Sequence, residues 1–266
     1  MPQNNLKQLA EDYQRHGYAS GVRLIDSAEA KKHRDALERA EQKRGSLHYL
    51  AKVHTIFRSP FELATLPSAL DVVEQLIGPD ILLFNVTYII KEAGAASHVS
   101  WHQDLTYWGL SDDDQVSMWL ALSPATNETG CMKMLPGSHK NGRRDHSATD
   151  DENNVLLQGQ TVSDIDETDS VLCPLEPGEA SFHHGWTLHA STPNTGTDRR
   201  IGLNVQYIAP NVRQTKHDMD TTILVRGKDK FNHFGSDIPA TADFAPEAVN
   251  RHAELQKLYE ETAGTN

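Results

Sequence analysis

From Ile81 onward the chain breaks into short runs of strand-forming residues separated by turn signals, a pattern compatible with few architectures. The runs are Ile81–Lys91, His98–Gln103, Val116–Leu122, Cys131–Leu135, Glu179–His183 and Ile201–Ala209. Asn127-Glu-Thr-Gly130 and Leu135-Pro-Gly-Ser-His139 supply turns between them. The sequence ahead of Ile81 is helical in character. Leu6–His16 ends at Gly17, a suitable C-cap, and Asp26-Ser-Ala-Glu29 resembles a capping box opening a charged helix to about Lys43. Pro67–Ile77 forms a third helix stopped by Gly78-Pro79, and Gly21–Ile25 reads as a short strand. Many short strands after a helical start predict a mainly β jelly-roll barrel with flanking helices packed outside it.

At 266 residues the chain reads as a single domain. Residues 1–79 are the helical part, 80–210 the jelly-roll core, and 211–266 a C-terminal extension with a helix from Pro246 to about Thr262. Segment 140–170 is polar, acidic and without periodicity; it reads equally as a flap over the barrel mouth or as a solvated surface insertion.

The formal net charge of −12 argues against nucleic acid as a partner, which wants a basic face. No apolar run approaches the ~18 residues of a membrane span, and Met1-Pro-Gln-Asn-Asn lacks the layout of a secretory signal. A cytoplasmic protein without membrane partners, monomer or homodimer, is expected. Cys131 and Cys173 form no Cys-x-x-Cys motif and are expected as buried reduced thiols.

Two His-x-Asp/Glu triplets occur, His102-Gln-Asp104 and His252-Ala-Glu254. With 14 His and 37 acidic residues in 266, about two are expected by chance, so backbone context must choose. The second triplet lies in helical sequence, where i and i+2 diverge. The first lies in extended sequence, where both side chains share a face and can reach one ion. With His189, the pair makes a two-imidazole, one-carboxylate set suited to Fe(II) with open positions for a co-substrate and O₂. His183 and His184 are rivals for the third ligand. His189 is preferred because the turn after Ala190 leads, as a hairpin, into a strand opening with Arg199-Arg200. An arginine inside a barrel needs a partner, and a carboxylate of a 2-oxo acid supplies one through two parallel hydrogen bonds. Alternation sends Arg199 outward, and Ser191 offers a hydroxyl to the same carboxylate.

Trp101-His-Gln-Asp-Leu-Thr-Tyr-Trp108, Gly130-Cys-Met-Lys-Met-Leu-Pro-Gly-Ser-His139 and His189-Ala-Ser-Thr-Pro-Asn-Thr-Gly-Thr-Asp-Arg-Arg200 together resemble the phytanoyl-CoA dioxygenase family. The resemblance covers roughly residues 80–210. It implies a cupin-like double-stranded β-helix and an Fe(II)- and 2-oxoglutarate-dependent oxygenase, with ascorbate as a possible stimulant. His102, Asp104 and His189 match the iron ligands, and Arg200 and Ser191 the residues holding the distal 2-oxoglutarate carboxylate. Gln103 and Trp119 match positions lining the co-substrate pocket. Asn85 and Thr87 share one face of their strand and are expected to reach it. Asp104 occupies the position that related halogenases leave open for chloride, so hydroxylation is expected, with succinate and CO₂ released. The implied substrate is a small molecule: an amino acid, a quaternary ammonium compound, an aminoalkylphosphonate, or else an acyl thioester or natural product. The acidic 140–170 segment together with Arg143, Arg144 and Arg226 favours a zwitterion. Tyr107 and Trp108 are candidates to box an ammonium group, or simply to pack. A non-catalytic cupin-like metal binder is the competing reading.

Overall fold

The computed structural model describes residues 3–156, 160–216 and 218–263. Helix α1 (Gln3–His16) stops at Gly17, whose φ of +84° lets its N–H return to the Tyr13 carbonyl. Strand β1 (Tyr18–Arg23) begins directly after it, earlier than the Gly21–Ile25 run expected from the sequence. Pairing with Glu179–His184 sets its limits, rather than local propensity. In α2 (Ser27–Arg44) the Asp26 carboxylate accepts from the Glu29 N–H at 2.8 Å, but the Glu29 side chain turns to Lys32 and the box stays half closed. An unanticipated helix, α3 (Arg58–Ala64), precedes α4 (Pro67–Ile77).

The strands that follow are β2 (Ile81–Lys91), β3 (Val99–His102), β4 (Gln115–Ala121), β5 (Met132–Met134), β6 (Ser147–Ala148), β7 (Gln160–Thr161), β8 (Val171–Cys173), β9 (Glu179–His184), β10 (His189–Ser191), β11 (Arg200–Ile208), β12 (Thr221–Arg226) and β13 (Gly235–Ser236). A one-turn helix α5 (Leu105–Trp108) follows β3, and α6 (Pro246–Ala263) ends the described chain. The larger sheet runs β1-β9-β4-β11-β2-β12-β13, the smaller β3-β10-β5-β8, and β6 pairs with β7 alone. Every pair within the two main sheets is antiparallel except β12 with β13, as a jelly roll requires. β12 extends the main sheet from a region read only as an extension.

Alternation along the large sheet separates two environments. Val86, Tyr88 and Ile90 of β2, Met118 and Leu120 of β4, Phe182 of β9 and Ile201, Leu203, Val205 and Tyr207 of β11 face the helices and form the main apolar core. Each such side chain contributes about 1.5–3 kcal/mol by leaving water. The intervening residues (Thr87, Ser117, Trp119, His183, Arg200, Asn204 and Gln206) face the smaller sheet. The main apolar core therefore lies outside the barrel, and the interior combines these polar residues with a smaller apolar cluster that includes Trp119, Ala121, Cys131, Met132 and Met134. That division is why β2 and β4 are buried on both faces.

The link from β10 to β11 corrects the hairpin expected there. β10 pairs with β3 and β5, whereas β11 pairs with β2 and β4, so residues 192–199 cross from one sheet to the other. Segment 140–170 carries more structure than its composition suggests. It contains β6 and β7, the Val162 N–H donates to the Trp101 carbonyl, and Trp101 Nε1 donates to Glu167 at 2.6 Å. Leu157, Gln158 and Gly159 of this segment lie outside the described residues. Cys131 and Cys173 are free and buried. No helix among the described residues is long and apolar enough to cross a membrane.

Candidate metal and co-substrate site

His102 ends β3 and His189 opens β10, and the two are direct cross-strand partners. Their ring centroids are 4.1 Å apart. Each ring is aimed by the same device. His102 Nδ1 meets the Ser100 carbonyl at 2.9 Å and His189 Nδ1 meets the Thr187 carbonyl at 3.0 Å. A carbonyl only accepts, so both Nδ1 atoms carry the proton and both Nε2 atoms are left with a lone pair for an ion. Asp104, two residues past His102, places Oδ1 3.4 Å from His102 Nε2 and 3.7 Å from His189 Nε2. Among the described residues these three form the one cluster whose ligand atoms all lie within 4.8 Å of one another.

Asp104 Oδ2 is engaged from behind. It accepts from Ser117 Oγ at 2.8 Å and sits 3.1 Å from His183 Nε2. Gln115 Nε2 in turn donates to Ser117 Oγ at 3.0 Å. Burial works against the Asp104 carboxylate, but His189, His102 and His183 outweigh it and hold the group well below the usual carboxylate range. Burial and the adjacent His102 push His189 well below its ordinary value. An ionised carboxylate beside a neutral imidazole is the protonation state a divalent metal needs. His183, set aside by the sequence reading as a rival ligand, is thus a partner of Asp104. His184 points to the outer face, 3.7 Å from Asp113 and against Tyr13 and His139.

Arg200, at the start of β11, is buried in the same cavity. Nη1 donates to the Gly130 carbonyl at 3.2 Å, while Nε and Nη2 have no partner among the described residues. Trp119 flanks it, with the guanidinium carbon 5.0 Å from the ring centroid. Gly202 makes this possible, because a Cβ there would come within 1.9 Å of the indole. Burial pushes Arg200 down to about 10, which leaves it charged at neutral pH. A buried cation with two unused donors is costly unless an anion completes it, so the residues present fit a carboxylate.

Ser191 also lines the cavity, and its Oγ accepts from Lys91 Nζ at 2.7 Å. Lys91, the cross-strand partner of Arg200, was missed in the sequence because a lysine closing a strand looks like a solvent-facing end. It is buried, and burial together with Arg200 pushes its ammonium down to about 6. Tyr49 and Tyr259 were missed as well. They reach the cavity from the N-terminal region and from α6, and no motif marks either.

The other expected residues divide between the cavity and its surroundings. Thr87, Trp119, Tyr107 and Trp108 line the cavity. Asn85 lies just behind it, accepting from the Lys52 N–H and donating to Thr87 Oγ1. Gln103 does not line the cavity. It follows the end of β3, and its side chain bonds the carbonyls of Gly142 and Trp186 and the N–H of Arg144. Arg226 pairs with Glu74 and Asp71 on α4, and Arg143 is exposed; neither is among the cavity residues. Arg199 pairs outward with Glu41 and Glu92.

A family model for phytanoyl-CoA dioxygenase (PhyH) matches residues 2–202, and the chain belongs to that family. The probable alpha-ketoglutarate-dependent hypophosphite dioxygenase of Stutzerimonas stutzeri is 30% identical over 158 residues, covering 59% of this chain and 55% of that protein. Human peroxisomal phytanoyl-CoA dioxygenase is 30% identical over 152 residues, 55% of this chain and 45% of its own. The chain thus spans about half the length of the curated relatives it matches. Among solved structures, the non-heme monooxygenase ThoJ in its apo form superposes with a TM-score of 0.86 at 28% identity, covering 96% of this chain and 97% of that one. CytC3 with Fe(II) and alpha-ketoglutarate, at 22% identity and a TM-score of 0.65 over 85% and 90% of the two chains, shares the fold.

Proposed function

We propose that this protein is an Fe(II)- and 2-oxoglutarate-dependent oxygenase that hydroxylates an unactivated C–H bond of a small molecule. The observation that carries the reading is Arg200, a buried cation with two unused donors in the cavity that also holds the three-ligand cluster. His102, Asp104 and His189 would hold the iron. Arg200 and Ser191 would hold the distal carboxylate of 2-oxoglutarate, with Lys91 reinforcing Ser191 from behind. When bound, iron and 2-oxoglutarate supply O₂ activation and C–H oxidation, with succinate and CO₂ as co-products.

The chain's own contributions are binding, orientation and exclusion of water. The backbone carbonyls of Ser100 and Thr187 aim the two imidazoles, and Ser117 and His183 fix which carboxylate oxygen faces them. Trp119 walls off the Arg200 pocket, where a low-dielectric setting strengthens the charge pair. Asp104 fills the third ligand position, which favours hydroxylation over halide transfer.

Purified protein supplied with Fe(II), 2-oxoglutarate, ascorbate, O₂ and an accepted substrate should release one succinate per 2-oxoglutarate consumed and a product 16 mass units heavier. A chelator should stop both. A protein that binds metal without turnover would release no succinate beyond the metal-only background.

A further inference from the structure

The cavity lining along β11 beyond Arg200 differs in chemistry from the surroundings of Arg200 itself. Along β11 the inward residues run Arg200, Gly202, Asn204, Gln206, and beyond Arg200 the row carries amides and no charge. Asn204 Oδ1 and Gln206 Oε1 are buried and have no partner among the described residues. Tyr107 presents a buried, unpartnered hydroxyl from α5. Tyr49, Tyr259 and Trp108 complete an aromatic surround.

Histidines aside, Asp104 and Arg200 are the only ionisable acid and base among the described residues lining this cavity, the tyrosines remaining neutral. Both have assigned partners under the reading above. The charges of Fe(II) and Arg200 together balance Asp104 and dianionic 2-oxoglutarate, so the loaded lining would carry no net charge with which to pair a third molecule's ion. Lys91, the next basic group, sits behind Ser191 and does not line the cavity. The arginines that would pair with the anionic half of a zwitterion are outside it. A second anion would lie buried without a counter-ion, which is strongly unfavourable. A buried amide oxygen with no donor is costly as well, and a ligand that brings O–H or N–H groups relieves that cost.

Resting on the oxygenase reading, we infer that the substrate is an uncharged polar molecule whose reacting end carries hydroxyl or amide N–H donors, held by Asn204 and Gln206 with its body among Tyr49, Tyr107 and Tyr259. Carboxylates, phosphonates, small oxoanions and acyl-CoA phosphates are disfavoured at this end, and a quaternary ammonium cannot satisfy the two amides because it has no N–H to give.

The test uses protein loaded with Fe(II) and 2-oxoglutarate under anoxia, whose visible charge-transfer band reports occupancy beside the metal. Three sets of probes are titrated: neutral polyols, glycosides and cyclic dipeptides; hypophosphite, alkylphosphonates and free amino acids; tetramethylammonium and glycine betaine. Members of the neutral set are expected to shift the band. For the best of them Gln206→Leu should weaken binding about tenfold, as expected for one lost buried hydrogen bond. The near-isosteric Gln206→Glu should turn the preference toward amine cations. A band shifted in wild type only by charged members, or by none of the three sets, overturns the inference. So does a neutral ligand whose affinity is the same in wild type, Gln206→Leu and Gln206→Glu. Failure of the band to form at all would instead strike the oxygenase reading itself, so the two failures are separate.

Discussion

At the end of the cavity where β3 and β10 meet, each proposed ligand side chain has a second contact that fixes its orientation. His102 has Ser100, His189 has Thr187, and Asp104 has both Ser117 and His183. Elsewhere in the lining, on β11 and α5, Asn204, Gln206 and Tyr107 present atoms with no partner among the described residues. The first group is made for an ion and an anion, and the second offers acceptor atoms that a hydrogen-bond donor would satisfy. Charge and coordination geometry constrain the first tightly, so its residue types are nearly dictated. The second is constrained by shape and by neutral polarity, which many residue sets can satisfy.

If the metal end is as rigidly specified as this contrast holds, its variants should show the largest effects. Asp104→Ala and His102→Ala should each weaken Fe(II) or Ni(II) binding by roughly 100-fold or more, read by calorimetric titration, because two ligands do not hold a facial site. Binding within about threefold of wild type in either variant would remove that residue from the site. Next in size is Arg200. Losing one partner of a buried hydrogen-bonded charge pair typically costs ~2–5 kcal/mol, so Arg200→Ala should raise the 2-oxoglutarate Kd about 30-fold or more with metal affinity unchanged. Arg200→Lys should fall between, since it keeps the charge and loses the planar fork. Arg199→Ala, whose ion pairs lie outside, should leave that Kd within about twofold.

His183→Leu sharpens the contrast between ligand and supporting residue. It should weaken metal binding by about 10-fold, less than loss of a ligand, because outer partners of ligands typically contribute 10–100-fold. A loss as large as that of His102→Ala would make His183 a ligand itself.

A smaller effect concerns protons. Burial and Arg200 bring Lys91 down to about 6, so at pH 7 it is mostly neutral. A carboxylate arriving at Ser191 favours its charged form and raises that value. Binding of 2-oxoglutarate should then take up a fraction of a proton, and affinity should fall as pH rises above 6, by at most about tenfold per unit. Calorimetry in buffers of different ionisation enthalpy reads the uptake directly, and Lys91→Met should abolish it.

The same contrast explains how much was legible beforehand. The ligand triplet could be chosen on extended sequence around His102; β3 reaches only to His102, and Asp104 comes beside it from the turn into α5, with helical backbone angles. Pro67–Ile77 and Ile81–Lys91 were readable to their ends because Pro and Gly punctuate the first and β-branched and aromatic residues fill the second. The hairpin after His189 was not, since a turn signal does not say which sheet the next strand joins. Gln103 was carried by likeness to family members, and its amide is taken up instead by the Gly142 and Trp186 carbonyls. Arg226 looked free for a ligand until its partners on α4 came into view, more than a hundred residues away in sequence. Tyr49 and Tyr259 reach the cavity only through tertiary packing, and no local pattern marks them.

The central claim is that one cavity binds a metal through His102, Asp104 and His189 and a 2-oxo diacid through Arg200 at the same time. Anaerobic titration of the Fe(II)-loaded protein with 2-oxoglutarate, followed by visible absorption, tests this most directly. The expected result is a saturable charge-transfer band that is absent in Asp104→Ala, requires about 30-fold more 2-oxoglutarate in Arg200→Ala, and forms poorly with pyruvate, which lacks the distal carboxylate. No band in the wild-type protein, or the same band at the same concentrations in all three proteins, would contradict it.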